Sequence, residues 1–202
     1  MEPCMLRKYK FYIIPFVALL IPLSYFSYLY GLSSNFHTIT AGEAYRSAQP
    51  DRDDIEYYIK EYGIRSILNL RGENSAEQWY INEIKVSAEN DIKHYDVALS
   101  AGREPTEEET QRLIDVFKNA PRPILIHCMS GADRTGLVSA MWKAAVDKEI
   151  KTEAEKELSI WYGHIPIGKT TAMDRFFDRW IQKRQKNTQG KATWAKFMQS
   201  AA

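Results

Sequence analysis

Apolar and polar positions along this chain fall into three kinds of run. The first is an uncharged apolar stretch from residue 11 to residue 30. At about 20 residues it has the length of a bilayer-spanning helix. Arg7, Lys8 and Lys10 precede it and tyrosines crowd its far end, which predicts an uncleaved signal anchor. That reading places the N-terminus in the cytoplasm and the following domain on the periplasmic or extracytoplasmic side. A cleaved secretory signal is the competing reading, with Gly31-Leu-Ser-Ser as its weak cleavage candidate.

The second kind of run is helical. Ile55, Tyr58, Ile59 and Tyr62 share one face of a helix predicted over 51–62, which Gly63 would end. A further helix is expected within 76–90. Thr106-Glu-Glu-Glu109 is a capping box opening a helix to about Asn119. Helices are also expected at about 134–147, 152–162 and 170–185. The third kind is short strands. Residues 36–39 and 44–47 flank Gly42 as a hairpin, and 64–70, 94–99 and the proline-bounded 124–127 follow. Strands alternating with helices predict an α/β domain whose largely parallel central sheet is flanked by helices.

Three segments result: residues 1–34 as cytoplasmic stub, transmembrane helix and linker, 35–185 as the globular domain, and 186–202 as a basic tail. After Asp178 the chain has six Lys or Arg and no acid. The tail reads as a solvated face, with Trp194 and Phe197 offering contact to an anionic surface as the alternative. Formal net charge is +1, which gives no electrostatic footprint for nucleic acid. Two cysteines, Cys4 and Cys128, and four histidines, at 37, 94, 127 and 164, show no metal-ligand spacing, so no metal or cofactor is expected.

The chemistry concentrates in His127-Cys-Met-Ser-Gly-Ala-Asp-Arg-Thr-Gly136. A cysteine at a strand end, before a helix, sits near the positive pole of the helix dipole. Gly131 and Gly136 permit a loop of inward N–H groups, and Arg134 adds a full charge. These features favour the thiolate of Cys128. They also suit a phosphate dianion, bound by the backbone of Met129, Ser130, Gly131, Ala132, Asp133 and Thr135 and clamped by the planar fork of Arg134. Thr135 is expected to donate to the Cys128 sulfur. His127 and Gly136 are expected to support the loop.

At these residues the chain resembles the cysteine-dependent protein tyrosine and dual-specificity phosphatase superfamily. Tyr45-Arg-Ser-Ala-Gln-Pro50, Ile67-Leu-Asn-Leu-Arg71 and Arg103-Glu-Pro105 extend the likeness to its compact atypical branch, over about residues 37–182. The resemblance implies a phosphatase-type fold, no metal, and a phosphocysteine intermediate hydrolysed by water. It also implies a general acid from an upstream loop. Glu104, on a Gly/Pro-containing loop, Asp133, beside Arg134, and Asp96, in an expected strand, are the three candidates.

Expected substrates are phosphorylated proteins, with inositol polyphosphates or phosphorylated lipid headgroups as the alternative. A phosphate-binding module with vestigial catalysis is the remote third reading. Ala132 stands where relatives directed at inositol phosphates often carry a second basic residue. Arg46, Arg71, Arg103 and Lys169 are the remaining cations that could surround the pocket, with His164 on a candidate rim loop.

Overall fold

In the computed structural model, backbone is described for residues 4–31 and 33–200, and side chains for 13–25, 27, 28 and 33–186. Five short strands, β1 His37–Thr40, β2 Ala44–Ser47, β3 Ser66–Asn69, β4 Lys93–Asp96 and β5 Ile124–His127, form one sheet in the order β1-β2-β5-β3-β4. β1 and β2 pair antiparallel, as the expected hairpin, and the other three pairings are parallel. The sheet is therefore mixed and, apart from that hairpin, parallel.

Alternation along β5 divides the core. Ile124 and Ile126 face one side with Leu68 and Leu70, while Leu125 and Ile67 face the other, as the two-residue period of a strand requires. The first side is covered by α4 (Glu107–Asn119), α5 (Asp133–Ala145) and α7 (Thr171–Ser200). The second is covered by α2 (Arg52–Tyr62) and α3 (Gln78–Glu89). α5 is apolar on nearly every side: Leu137, Val138, Ala140, Met141, Trp142 and Ala144 are all buried, as expected of a helix inside a core. Asp51 and Thr106 close capping boxes at the starts of α2 and α4, and Gly63 ends α2 at φ 65°.

Two expected helices differ. The one at 152–162 breaks into α6 (Lys151–Ala154) and 3-10 turns at Glu155–Glu157 and Ile160–Tyr162. The break lets the carbonyl of Glu157 accept from the buried Arg46 guanidinium. α7 runs on to Ser200, past the expected end at residue 185. The side chains of Trp194 and Phe197, invoked for the tail, lie outside the described residues, as do those of Cys4, Arg7, Lys8 and Lys10.

The largest correction concerns the N-terminus. α1 (Cys4–Gly31) is helical, but among the described residues no helix is long and apolar enough to cross a membrane. This overturns the expected transmembrane helix and signal anchor at 11–30, the membrane as a partner there, and the single-pass placement with a periplasmic domain. Pro15, Pro22, Ser24, Ser27 and several tyrosines interrupt the apolar run. One of those tyrosines is tied to the folded domain: Tyr25 donates to the Trp161 carbonyl at 2.6 Å and meets its ring edge-on at 6.1 Å.

Candidate active site

Cys128 directly follows β5 and is 1% exposed; among the described residues it is the free cysteine. The next three residues are held by their carbonyls. The Gln49 N–H donates to the Met129 carbonyl at 3.1 Å, Asn35 Nδ2 to that of Ser130 at 2.9 Å, and Arg46 Nη2 to that of Gly131 at 2.8 Å. A loop whose carbonyls are drawn outward turns its N–H groups inward, forming an anion nest. The first turn of α5 then contributes the unbonded N–H groups of every helix start.

Gly131 makes the loop possible. Its φ is +69°, and a Cβ there would stand 2.7 Å from the Ser47 and Ala48 backbone. Gly136 meets a similar limit, because its Cβ would lie 2.9 Å from the Glu157 carbonyl. Ala132 is buried, while Met129 projects outward at 63% exposure. Arg134 donates to the Leu70 and Leu99 carbonyls at 3.3 Å, which spans its guanidinium between the ends of β3 and β4. The Thr135 hydroxyl, expected on the Cys128 sulfur, is buried with no hydrogen-bond partner among the described residues.

The four cations expected near the pocket separate. Arg46 is fully buried scaffold: it pairs with Glu157 at 2.6 Å and lies over the Tyr162 ring at 4.0 Å. Arg103 pairs with Glu109, and Lys169 lies against Gly102. Arg71 is tied to Gln49, whose backbone anchors the loop. Its guanidinium stacks on Trp79 at 3.6 Å and donates to Gln49 Oε1 at 2.9 Å. Burial lowers its pKa, and so does the Arg134 charge, while Glu83 and Cys128 partly offset this; Arg71, Arg134 and Cys128 thus share one electrostatic neighbourhood.

Behind the loop lies a residue that motif reading missed. Glu83 of α3 is 1% exposed and accepts from His127 at 3.2 Å, His94 at 2.7 Å and Gln49 at 2.8 Å. Burial opposes its ionisation, but the two histidines outweigh that and hold its carboxyl far below the usual range. The sequence carried a signal: Tyr80, Glu83 and Val86 recur at three-residue spacing, so Glu83 falls on the buried face of α3.

The three acid candidates are all engaged. Asp96 receives Asn69 at 2.8 Å and Tyr80 at 2.8 Å, with His94 at 3.4 Å; against the effect of burial, these bonds hold its pKa below the ordinary value. Asp133 meets His164 Nδ1 at 2.7 Å. Glu104 pairs with Arg175 at 3.4 Å and with Arg179, both on α7.

With the loop, its arginine and its cysteine in place, the comparisons with known proteins fall on the same region. A family model described as a DSP-PTPase phosphatase fused to NAD+ kinase matches residues 34–191. The chain belongs to this phosphatase family. The phosphatase is 34% identical over 100 residues to inositol diphosphatase SIW14 of Saccharomyces cerevisiae, which covers 47% of this chain and 34% of that protein. It is 27% identical over 85 residues to dual specificity protein phosphatase CDC14C of Homo sapiens, covering 42% of this chain and 17% of that protein. The phosphatase thus spans about a third or less of the length of these curated relatives. The core catalytic domain of PP-IP phosphatase SIW14 from S. cerevisiae matches its fold with a TM-score of 0.58 at 24% identity, over 77% of this chain and 93% of that one. P. aeruginosa TpbA matches with a TM-score of 0.54 at 19% identity, over 75% and 85%. At these identities the structural matches establish the fold, the α/β fold of the cysteine-based DSP/PTP superfamily.

Proposed function

We propose that the protein hydrolyses phosphate esters through a cysteinyl-phosphate at Cys128 and favours substrates that carry more than one phosphoryl group. The thiolate attacks phosphorus, a P–S bond forms, and the P–O bond to the leaving group breaks. Arg134 and the inward N–H groups hold the equatorial oxygens, where the transition-state charge is spread. Water then attacks phosphorus and the thiolate departs. The leaving oxygen takes its proton from Glu104 in this scheme. Its partners Arg175 and Arg179 have side chains 59% and 66% exposed, while its own is 20% exposed. Those partners are exposed and free to swing away, whereas Asp96 and Asp133 are bonded to the half-buried His94 and the buried His164.

The observation that carries the substrate preference is Arg71. Among the described residues it has no carboxylate within ion-pair distance, and neither has Arg134, its electrostatic neighbour. Two guanidiniums in one electrostatic neighbourhood, neither of them in a direct ion pair, suit a ligand with more negative charge than one phosphoryl group brings. The similarity to an inositol diphosphatase supports the same direction. Similarity to a dual specificity protein phosphatase supports phosphoproteins as the second reading.

The test measures phosphate release by the full chain from inositol hexakisphosphate, a phosphotyrosine peptide and p-nitrophenyl phosphate, without metal. Activity should vanish in Cys128→Ser. In Arg71→Gln, kcat/KM on the hexakisphosphate should fall about 10-fold or more relative to that on the aryl phosphate, the worth of one charge-assisted hydrogen bond. An unchanged ratio would leave the phosphoprotein reading.

A further inference from the structure

We propose that His164 is a positioning residue whose cationic ring neutralises the Asp133 carboxylate beside the phosphate loop, so that the loop can accept a dianion. His164 is 1% exposed. Its Nδ1 lies 2.7 Å from Asp133 Oδ1, and its Nε2 lies 3.2 and 3.3 Å from the two carboxylate oxygens of Asp174. A neutral imidazole has one N–H and can donate to only one of two carboxylates. With an ionised carboxylate at each nitrogen, both nitrogens carry protons. The charged side chains that face the ring are Asp133 from α5 and Asp174 from α7, and together they raise its pKa against the opposing effect of burial.

The arrangement resolves a conflict built into the loop. Asp133 is the first residue of α5, where a carboxylate favours the helix dipole. Yet it immediately precedes Arg134 and repels the dianion that the loop and Arg134 bind. An imidazolium held against Asp133 keeps the helix start and cancels the repulsion. Asp174, 37% exposed, fixes the far side of the ring, so the 163–167 segment links α5 to α7 through one charge.

The inference rests on phosphate binding at Cys128 and Arg134, as proposed above, but its readout does not need turnover. The dissociation constant of inorganic phosphate is measured on the full chain by titration calorimetry. His164→Asn, which keeps a donor but loses the charge, should weaken phosphate binding about tenfold, as expected for one uncompensated neighbouring charge. The double variant His164→Asn, Asp133→Asn should return the constant toward wild type, because no charge is left to neutralise. A merely structural histidine would show no such rescue, and a weakening that persists in the double variant overturns the proposal. Nitrogen-15 shifts of the His164 ring in the wild-type chain give a second readout, independent of whether the variants fold. An imidazolium at pH 7 is expected, and a neutral tautomer overturns the proposal. Phosphate binding that follows these rules in a protein without hydrolysis would remove the proposed enzymatic function and leave this inference standing.

Discussion

The Glu83 carboxylate lies 3.2 Å from the His127 ring, one residue behind Cys128, and 2.7 Å from the ring of His94. A single buried acid on α3 therefore ties the end of β5 to β4. Its third partner, Gln49, hands the connection on to Arg71. The loop base and Arg71 are thus tied together through one side chain.

Replacing that side chain should be costly. Removing one partner from a buried charged cluster destabilises by roughly 3–5 kcal/mol, and Glu83→Ala should lose that much in urea denaturation. Glu83→Gln, which retains hydrogen bonding, should lose less. A Glu83→Ala chain within about 0.5 kcal/mol of wild type, the range of ordinary surface changes, would show that the cluster carries no net interaction.

The same cluster sets a pH dependence of stability. Burial opposes the charge of His94, but Asp96 and Glu83 outweigh it and raise its pKa from 6.5 to about 9. A raised folded-state value means the contribution is complete below pH 6.5 and is lost as pH rises through about 9. Glu83 has the opposite sign: its depressed value gives stability that is present above pH 4.5 and lost as pH falls. Melting temperature should decline between pH 6.5 and 9, and His94→Asn should flatten that decline. An equally steep alkaline limb in the variant would assign the decline to other groups.

Gly131→Ala tests the loop itself. A non-glycine residue at this positive φ costs of order 1–3 kcal/mol, and the added methyl group would meet backbone, not a movable side chain, at 2.7 Å. The loop must shift, so turnover of an aryl phosphate should fall by at least about 10²-fold, the size of effect seen when an anion-stabilising donor is displaced. Near-normal kcat in this variant would mean that the outward anchoring of the loop carbonyls does not matter.

Arg46→Met tests the anchor. Glu157, 7% exposed, would lose its ion-pair partner, at a cost of roughly 3–5 kcal/mol. Adding Glu157→Leu should recover much of that stability, since a buried pair and an apolar replacement are often close in free energy. Phosphate binding should remain weak in the double variant, because the Gly131 carbonyl is still without its donor.

Much of this was legible in the chain. The periodic runs gave the hairpin, α2, α4, β5 and α5 nearly to the residue, because local capping and apolar spacing decide those elements. Cys128, Gly131 and Arg134 were readable because a glycine-turned loop between strand and helix is encoded contiguously. The break after α6 was not, since it depends on Arg46, 111 positions away. Asp96 was legible as a strand residue, but only the packed fold gives it Asn69, Tyr80 and His94 as partners. The apolar run at 11–30 misled because length and lack of charge were weighed above its prolines, serines and tyrosines.

The socket that grips the loop carbonyls has a consequence for synthesis on the ribosome. Asn35, Arg46 and Gln49 emerge before the loop they hold, but the counter-charge of Arg46 is Glu157, made 111 residues later. A nascent chain that has just exposed Cys128 lacks the anion against which Arg46 is buried in the finished fold, and so has an unfinished cradle. The anchorage of the loop should be complete only late in translation, when Glu157 clears the exit tunnel.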